Sequence, residues 1–221
     1  MTGDPIDVEE VARRAADLRL RVERAAGGRA VEIIAVTKGF GPAAVVAAIH
    51  CGFTAVGENY AQELLAKAAS LPTDQQPQWH FLGRLQRNKV RALAPVVDLW
   101  QSVDRIELID EIAARAPGAR VFIQANLSGE AHKGGAPLAD VADLVTHARA
   151  VGLRVDGLMG VGPQGAPEEA RSGFRAVVAL ADELGVRHRS IGMTEDLEVA
   201  VEEGSTMVRV GSALFGPRPP R

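Results

Sequence analysis

Short β-branched runs and helical stretches take turns along this chain almost from end to end, and that alternation is the tightest constraint on its fold. Asp7 to Ala26 reads as a helix, with Val8, Val11, Ala15, Leu18 and Val22 near helical spacing and Gly27-Gly28 closing it. Strands are expected over Val31–Val36, Thr54–Val56, Gln78–Leu82, Val96–Gln101, Arg120–Ala125, Leu153–Leu158, Arg187–Ile191 and Met207–Val210. Helices over Pro42–His50, Tyr60–Ser70, Arg87–Leu93, Arg105–Ala116, Leu138–Ala150, Pro167–Leu184 and Asp196–Glu203 fill the intervals. Eight βα units in 221 residues predict an α/β fold, a single (β/α)8 TIM barrel spanning 1–221, with an extra N-terminal helix (1–30) packed on it. A doubly wound sheet is the runner-up, because periodicity by itself does not separate the two.

Composition narrows the function classes. Hydrophobic residues make up 47% and charged residues 24%, a balance that excludes intrinsic disorder. A formal net charge of -3 argues against a nucleic-acid coat, which would be strongly basic. The one cysteine, Cys51, excludes an internal disulfide framework and a thiolate-only metal cage. His50, His132, His147 and His188 show no metal-ligand spacing, so no metal is expected. Met1 to Glu10 is acidic and lacks an apolar segment, and no run approaches membrane-spanning length. The expected setting is reduced and cytoplasmic, with no membrane and no nucleic acid among the partners.

In either fold, chemistry belongs at the C-terminal ends of the strands. The chain has four lysines, and one of them, Lys38, directly follows the apolar end of the first strand. Partial desolvation there would disfavour its charged form, and a neutral amine can attack a carbonyl. The competing expectation is a solvated lysine paired with Glu58 or Asp104. At the last strand, Gly211 lets backbone approach an anion and Ser212 adds a hydroxyl. Ser190 and the Gly192-Met193-Thr194 turn would supply the facing wall. A phosphate grip on late strands opposite a first-strand lysine suggests a phosphorylated aldehyde, pyridoxal 5'-phosphate (PLP). Alternation along the last strand turns Arg209 inward, where a guanidinium beside a pyridine nitrogen would keep that nitrogen unprotonated; the competing expectation is a salt bridge to Glu195 or Glu202. Asn59 is a candidate for the ring or phosphate, or else a helix cap. His80 alternates inward as a candidate for the ring, or else as a satisfied core histidine. Lys133 is a candidate for a mobile lid, or else a solvated loop lysine.

These residues sit in blocks that resemble the pyridoxal phosphate homeostasis protein family. The blocks are Ala35-Val36-Thr37-Lys38, Gly57–Glu63, Trp79–Lys89, Ser102-Val103-Asp104, Ser128–Gly135, Gly157-Leu158-Met159, Ser190–Asp196 and Gly204–Gly211. They run in order over nearly the whole chain. The resemblance implies an alanine-racemase-type barrel (PLP fold type III), PLP held as a Schiff base on Lys38, and Arg209 facing the pyridine nitrogen. It further implies phosphate bound by Ser190, Gly211 and Ser212. Its members are thought to buffer or deliver the cofactor and have no established enzymatic activity, so no catalytic residue is assigned. Ser212 stands where Thr is expected, Thr194 and Glu195 where Ser and Asp are common, and Arg84 where His is frequent.

Three functions compete. A PLP carrier, with apo PLP-dependent enzymes as candidate recipients, needs nothing more than this site. A PLP-dependent amino-acid racemase needs a second base, supplied in alanine racemase by a tyrosine from another domain. Here there is one tyrosine, Tyr60, and about ten residues follow the last strand, so no closing domain and a monomer are expected. A barrel aldolase or synthase would explain Lys38 and the phosphate grip but not Arg209.

Overall fold

The computed structural model describes residues 6–128 and 134–218. Eight parallel strands close into a barrel in sequence order. They are β1 (Glu32–Val36), β2 (Ala55–Glu58), β3 (Gln78–Phe81), β4 (Leu99–Val103), β5 (Arg120–Asn126), β6 (Arg154–Val161), β7 (His188–Ser190) and β8 (Met207–Val210). Around them lie α1 (Val8–Ala26), α2 (Pro42–His50), α3 (Ala61–Ser70), α4 (Arg87–Leu93), α5 (Ile106–Arg115), α6 (Val141–Ala150), α7 (Arg171–Glu183), α8 (Leu197–Glu202) and the short α9 (Ser212–Phe215). The doubly wound alternative is thereby excluded. Among the described residues, no helix is long and apolar enough to cross a membrane.

The extra helix α1 begins where Asp7 accepts hydrogen bonds from the Glu9 and Glu10 amides, and ends at left-handed Gly27. Its buried stripe, Val11, Ala15, Leu18, Val22 and Ala26, packs against α8 and α9. Each large aliphatic on that stripe contributes about 1.5–3 kcal/mol by leaving water. The apolar core lies mainly between strands and helices, where Trp79, Trp100 and Phe174 are fully enclosed. A second cluster, with Ile34, Leu99, Phe122, Met159 and Met207, fills the barrel interior.

Register places the mouth residues together. Val36 on β1 pairs with Gly57 on β2, and Ala35 pairs with Val210 on β8. The turns after β1, β2 and β8, carrying Lys38, Asn59 and Gly211, therefore sit side by side.

Strand bounds shift by up to three residues from the sequence-based expectation, most at β4 and β6. β4 starts at Leu99, because the amides of Val96 and Val97 both turn back to the Leu93 carbonyl at the end of α4. β6 runs on to Val161, past the expected end at Leu158. Past that end Gly160 pairs with Ala125 of β5, and within the expected strand a Cβ on Gly157 would lie 2.5 Å from the His188 carbonyl oxygen. Close pairing with β7 is what requires glycine there.

Candidate functional site

A cavity of about 680 Å³ opens at the C-terminal ends of the strands. Of the residues expected at the site, Lys38, Asn59, Met193, Arg209, Gly211 and Ser212 line it. His80, Ser190 and Gly192 lie behind that lining. Lys133 falls outside the described residues, as does part of the block Ser128–Gly135. Arg84 is exposed and away from the cavity.

Lys38 has no hydrogen bond or ion pair to any described residue. The carboxylates that could have paired with it are committed elsewhere. Glu58 accepts from Lys67 and Thr37, each at 2.5 Å, and Asp104 accepts from Arg105 at 2.6 Å and the Gly135 amide at 3.1 Å. Partial burial pushes the Lys38 amine below the usual lysine range, and the positive charges of Arg218 and Arg209 push the same way; Glu58 opposes them. The expected alternative, a lysine neutralised by Glu58 or Asp104, is not what the chain forms.

Arg209 is 5% exposed and makes no salt bridge to Glu195 or Glu202; Glu202 binds Arg171 at 2.8 Å. Its guanidinium donates to the Ser190 carbonyl (2.5 Å), the Ser190 hydroxyl (2.7 Å) and the Gly160 carbonyl (2.9 Å). A guanidinium has five N–H groups, so two are left for the cavity. Desolvation lowers its pKa to about 10, which leaves it charged at neutral pH.

Ser190 and His80 stand in line behind the arginine. The Ser190 hydroxyl accepts from Arg209 and donates to Gln101 Oε1 at 2.6 Å. That orients the Gln101 amide so that its Nε2 faces His80 Nδ1 at 2.9 Å. Nδ1 is then an acceptor and the imidazole carries its proton on Nε2. Burial is the main reason the His80 pKa falls to about 3, so the ring is neutral. Sequence reasoning assigned Ser190 to phosphate and His80 to a cofactor ring. The structure places both below the cavity, where they brace Arg209, because inward alternation at their positions leads into the barrel interior instead of the mouth. Gln101 is the link that sequence reasoning missed; an amide on a strand carries no distinguishing signal.

The wall at the ends of β7 and β8 suits an anion. Ser212 Oγ and Thr194 Oγ1 lie 3.5 Å apart, and a Cβ on Gly211 would press to 3.2 Å from the Val36 carbonyl oxygen. Of the Gly192-Met193-Thr194 turn, Met193 and Thr194 line the cavity and Gly192 does not. Gly192 stands behind at φ +93, its carbonyl accepting the Arg209 amide at 3.1 Å. Gly162 to Pro167 after β6 and Arg218 of the C-terminal segment also line the cavity. Neither was expected, since no motif marks them. Among the described residues, no cluster of three or more histidine, cysteine or acidic side chains could hold a metal.

The sequence profile of the alanine racemase N-terminal domain matches residues 6–219. The pyridoxal phosphate homeostasis protein of Aquifex aeolicus is 37% identical over 223 residues, covering 95% of this chain and 97% of its own. The chain belongs to the pyridoxal phosphate homeostasis protein family. Another similar protein is PipY of Synechococcus elongatus, whose structure with PLP bound superposes at a TM-score of 0.83, with 32% identity over 93% of this chain and 100% of that one. Alanine racemase from Streptomyces lavendulae shares the fold at a TM-score of 0.76 and 22% identity, over 97% of this chain and 59% of that enzyme. In this family member the lysine after β1 and the arginine on the neighbouring strand β8 line one cavity. Of the departures from the expected pattern, Ser212 and Thr194 lie on the anion wall and each carries a hydroxyl, whereas Arg84 is away from the cavity.

Proposed function

We propose that this protein binds pyridoxal 5'-phosphate at the barrel mouth, with Lys38 as covalent anchor, and holds it for buffering or delivery without turnover of its own. The observation that carries this is the half-buried Lys38 amine, without a partner among the described residues, sharing one cavity with Arg209 and the Ser212–Thr194 hydroxyl pair. When bound, the cofactor would supply an aldehyde, and Lys38 would supply the neutral primary amine that joins it as a Schiff base, with loss of water. Lys38 is poised for this because its environment favours the neutral amine. Gly211, Ser212 and Thr194 would hold the phosphate. Arg209, still protonated, would donate to the pyridine nitrogen and keep it unprotonated, which weakens the ring as an electron sink. The names of the relatives describe homeostasis, not a reaction. In this reading apo enzymes are the recipients, the barrel acts as a monomer and the setting is cytoplasmic; the lone cysteine suits a reducing compartment.

A racemase would need a second base across the cavity. Tyr60, the chain's one tyrosine, is 44% exposed at the start of α3 and does not line the cavity. This favours the carrier.

The test is the visible absorbance of purified protein mixed with PLP, beside Lys38→Ala. The wild type should turn yellow and the variant should not, while inorganic phosphate still protects the variant thermally, since its donors lie on other strands. Borohydride trapping and peptide mass spectrometry should place the adduct on Lys38. An adduct confined to Lys67, Lys89 or Lys133 would overturn the assignment.

A further inference from the structure

Lys67 follows helical spacing on α3 like any surface lysine, yet it is 3% exposed. Its ammonium donates to the Thr37 carbonyl at 2.8 Å and to Glu58 Oε1 at 2.5 Å, with Glu63 Oε2 at 3.6 Å. Glu63 Oε2 in turn accepts the Gly39 amide at 2.8 Å, and the Thr37 hydroxyl donates to Glu58 Oε1 at 2.5 Å. The residues on either side of Lys38 are thus tied to the same three charged side chains, one from β2 and two from α3.

We propose that Lys67, Glu58 and Glu63 are positioning residues, a clamp that fixes the Lys38 turn from both sides and holds the Glu58 charge off the Lys38 amine. The inference rests on Lys38 being the covalent anchor. Enclosing this many charges is costly unless each has a partner, and a hydrophobic replacement would pack as well. What the charges supply is placement and potential. The groups acting on Lys38 are Arg209 from β8, Arg218 from the C-terminal segment and Glu58 from β2. Of these, Glu58 alone favours the protonated amine. Lys67 takes up that carboxylate, and Glu58 Oε2 has no hydrogen-bond partner among the described residues. Lys38 itself has no ion-pair partner among the described residues.

The two halves of the pair therefore act on Lys38 with opposite sign. Lys67→Met leaves Glu58 uncompensated and raises the Lys38 pKa. Glu58→Gln leaves Lys67 uncompensated and lowers it. The double variant brings it back towards the wild type. The measurement is the rate at which the visible band grows after mixing with PLP, from about pH 6 to about pH 10, because the rate follows the neutral fraction of the amine. The midpoint for Lys67→Met should move up by about one unit, giving a roughly tenfold slower rate at neutral pH. The midpoint for Glu58→Gln should move down. Thermal protection by inorganic phosphate checks that each variant is folded. If Lys67→Met does not fold, the near-isosteric Glu58→Gln carries the test, and an unchanged or raised midpoint overturns the clamp. Shifts of the same sign in both variants would mean loss of packing only and would also overturn it. A wild type with no band, or a band that survives Lys38→Ala, would instead refute the Lys38 anchor.

Discussion

Gln101 shows what a single uncharged side chain does inside this barrel. Its oxygen accepts from Ser190, its nitrogen donates to His80, and the same nitrogen lies 3.2 Å from the Met207 sulfur. Through Ser190 it fixes the arginine at the mouth. Replacing Gln101 with Met keeps the volume but strands the Ser190 hydroxyl proton and His80 Nδ1 in a dry interior. Each unsatisfied buried group costs about 1–3 kcal/mol, so Gln101→Met, which strands two, should lose roughly 2–6 kcal/mol in denaturant unfolding. A loss below about 1 kcal/mol would mean that the line of hydrogen bonds does not hold the interior together. Residues such as Gln101 and Lys67 were illegible in sequence because their roles depend on partners from other strands and helices. Lys38, Arg209, Gly211 and Ser212 could be picked out as candidates because strand ends are where a barrel exposes chemistry, and a lysine or arginine there departs from the small, apolar pattern around it.

At the level of elements, the rhythm of eight strands and their helices was readable because each strand is a short apolar run between turn residues. Where the expectation slipped, the cause was tertiary. Val96 and Val97 look like strand residues but close a helix, and Met159 to Val161, expected beyond the strand, stay in it by pairing with β5. The turn after β7 has the same character. Gly192 adopts φ +93, and a Cβ there would collide with the Ala200 side chain on α8. Gly192→Ala therefore meets both a disfavoured backbone, about 1–2 kcal/mol, and an overpacked contact of about 1–3 kcal/mol. Its expected outcome is a destabilisation of roughly 2–5 kcal/mol, with PLP binding weakened because the Gly192 carbonyl receives the Arg209 amide. Thermal denaturation and a spectroscopic titration check the two effects. Full affinity in a destabilised variant would show that the turn acts on the fold alone.

Across the whole molecule, the barrel encloses a neutral histidine at the far end of the hydrogen bonds that begin at its mouth, and this ties the stability of the fold to pH. The His80 imidazole titrates near 6.5 in an unfolded chain and only near about 3 in the folded one. Between those values the unfolded chain binds a proton that the folded chain refuses. Stability from this group is complete above pH 6.5 and is lost as the pH falls towards about 3. The slope is about 1.4 kcal/mol per pH unit, so from about pH 6.5 to about pH 5 the histidine should remove roughly 2 kcal/mol. His188 is lowered in the same direction, chiefly by burial, while burial raises the carboxyl of Glu58, which gives the opposite slope. The contribution of His80 must therefore be read as a difference. His80→Gln keeps an oxygen to accept the Gln101 amide but cannot titrate. Urea midpoints of the wild type and His80→Gln, measured at about pH 7 and about pH 5, should converge as the pH falls by roughly 2 kcal/mol of stability. Parallel losses in the two proteins would show that His80 is protonated in the fold at mildly acidic pH. The neutral acceptor assigned to Nδ1, and with it the direction of the hydrogen bonds leading back to Arg209, would then be wrong.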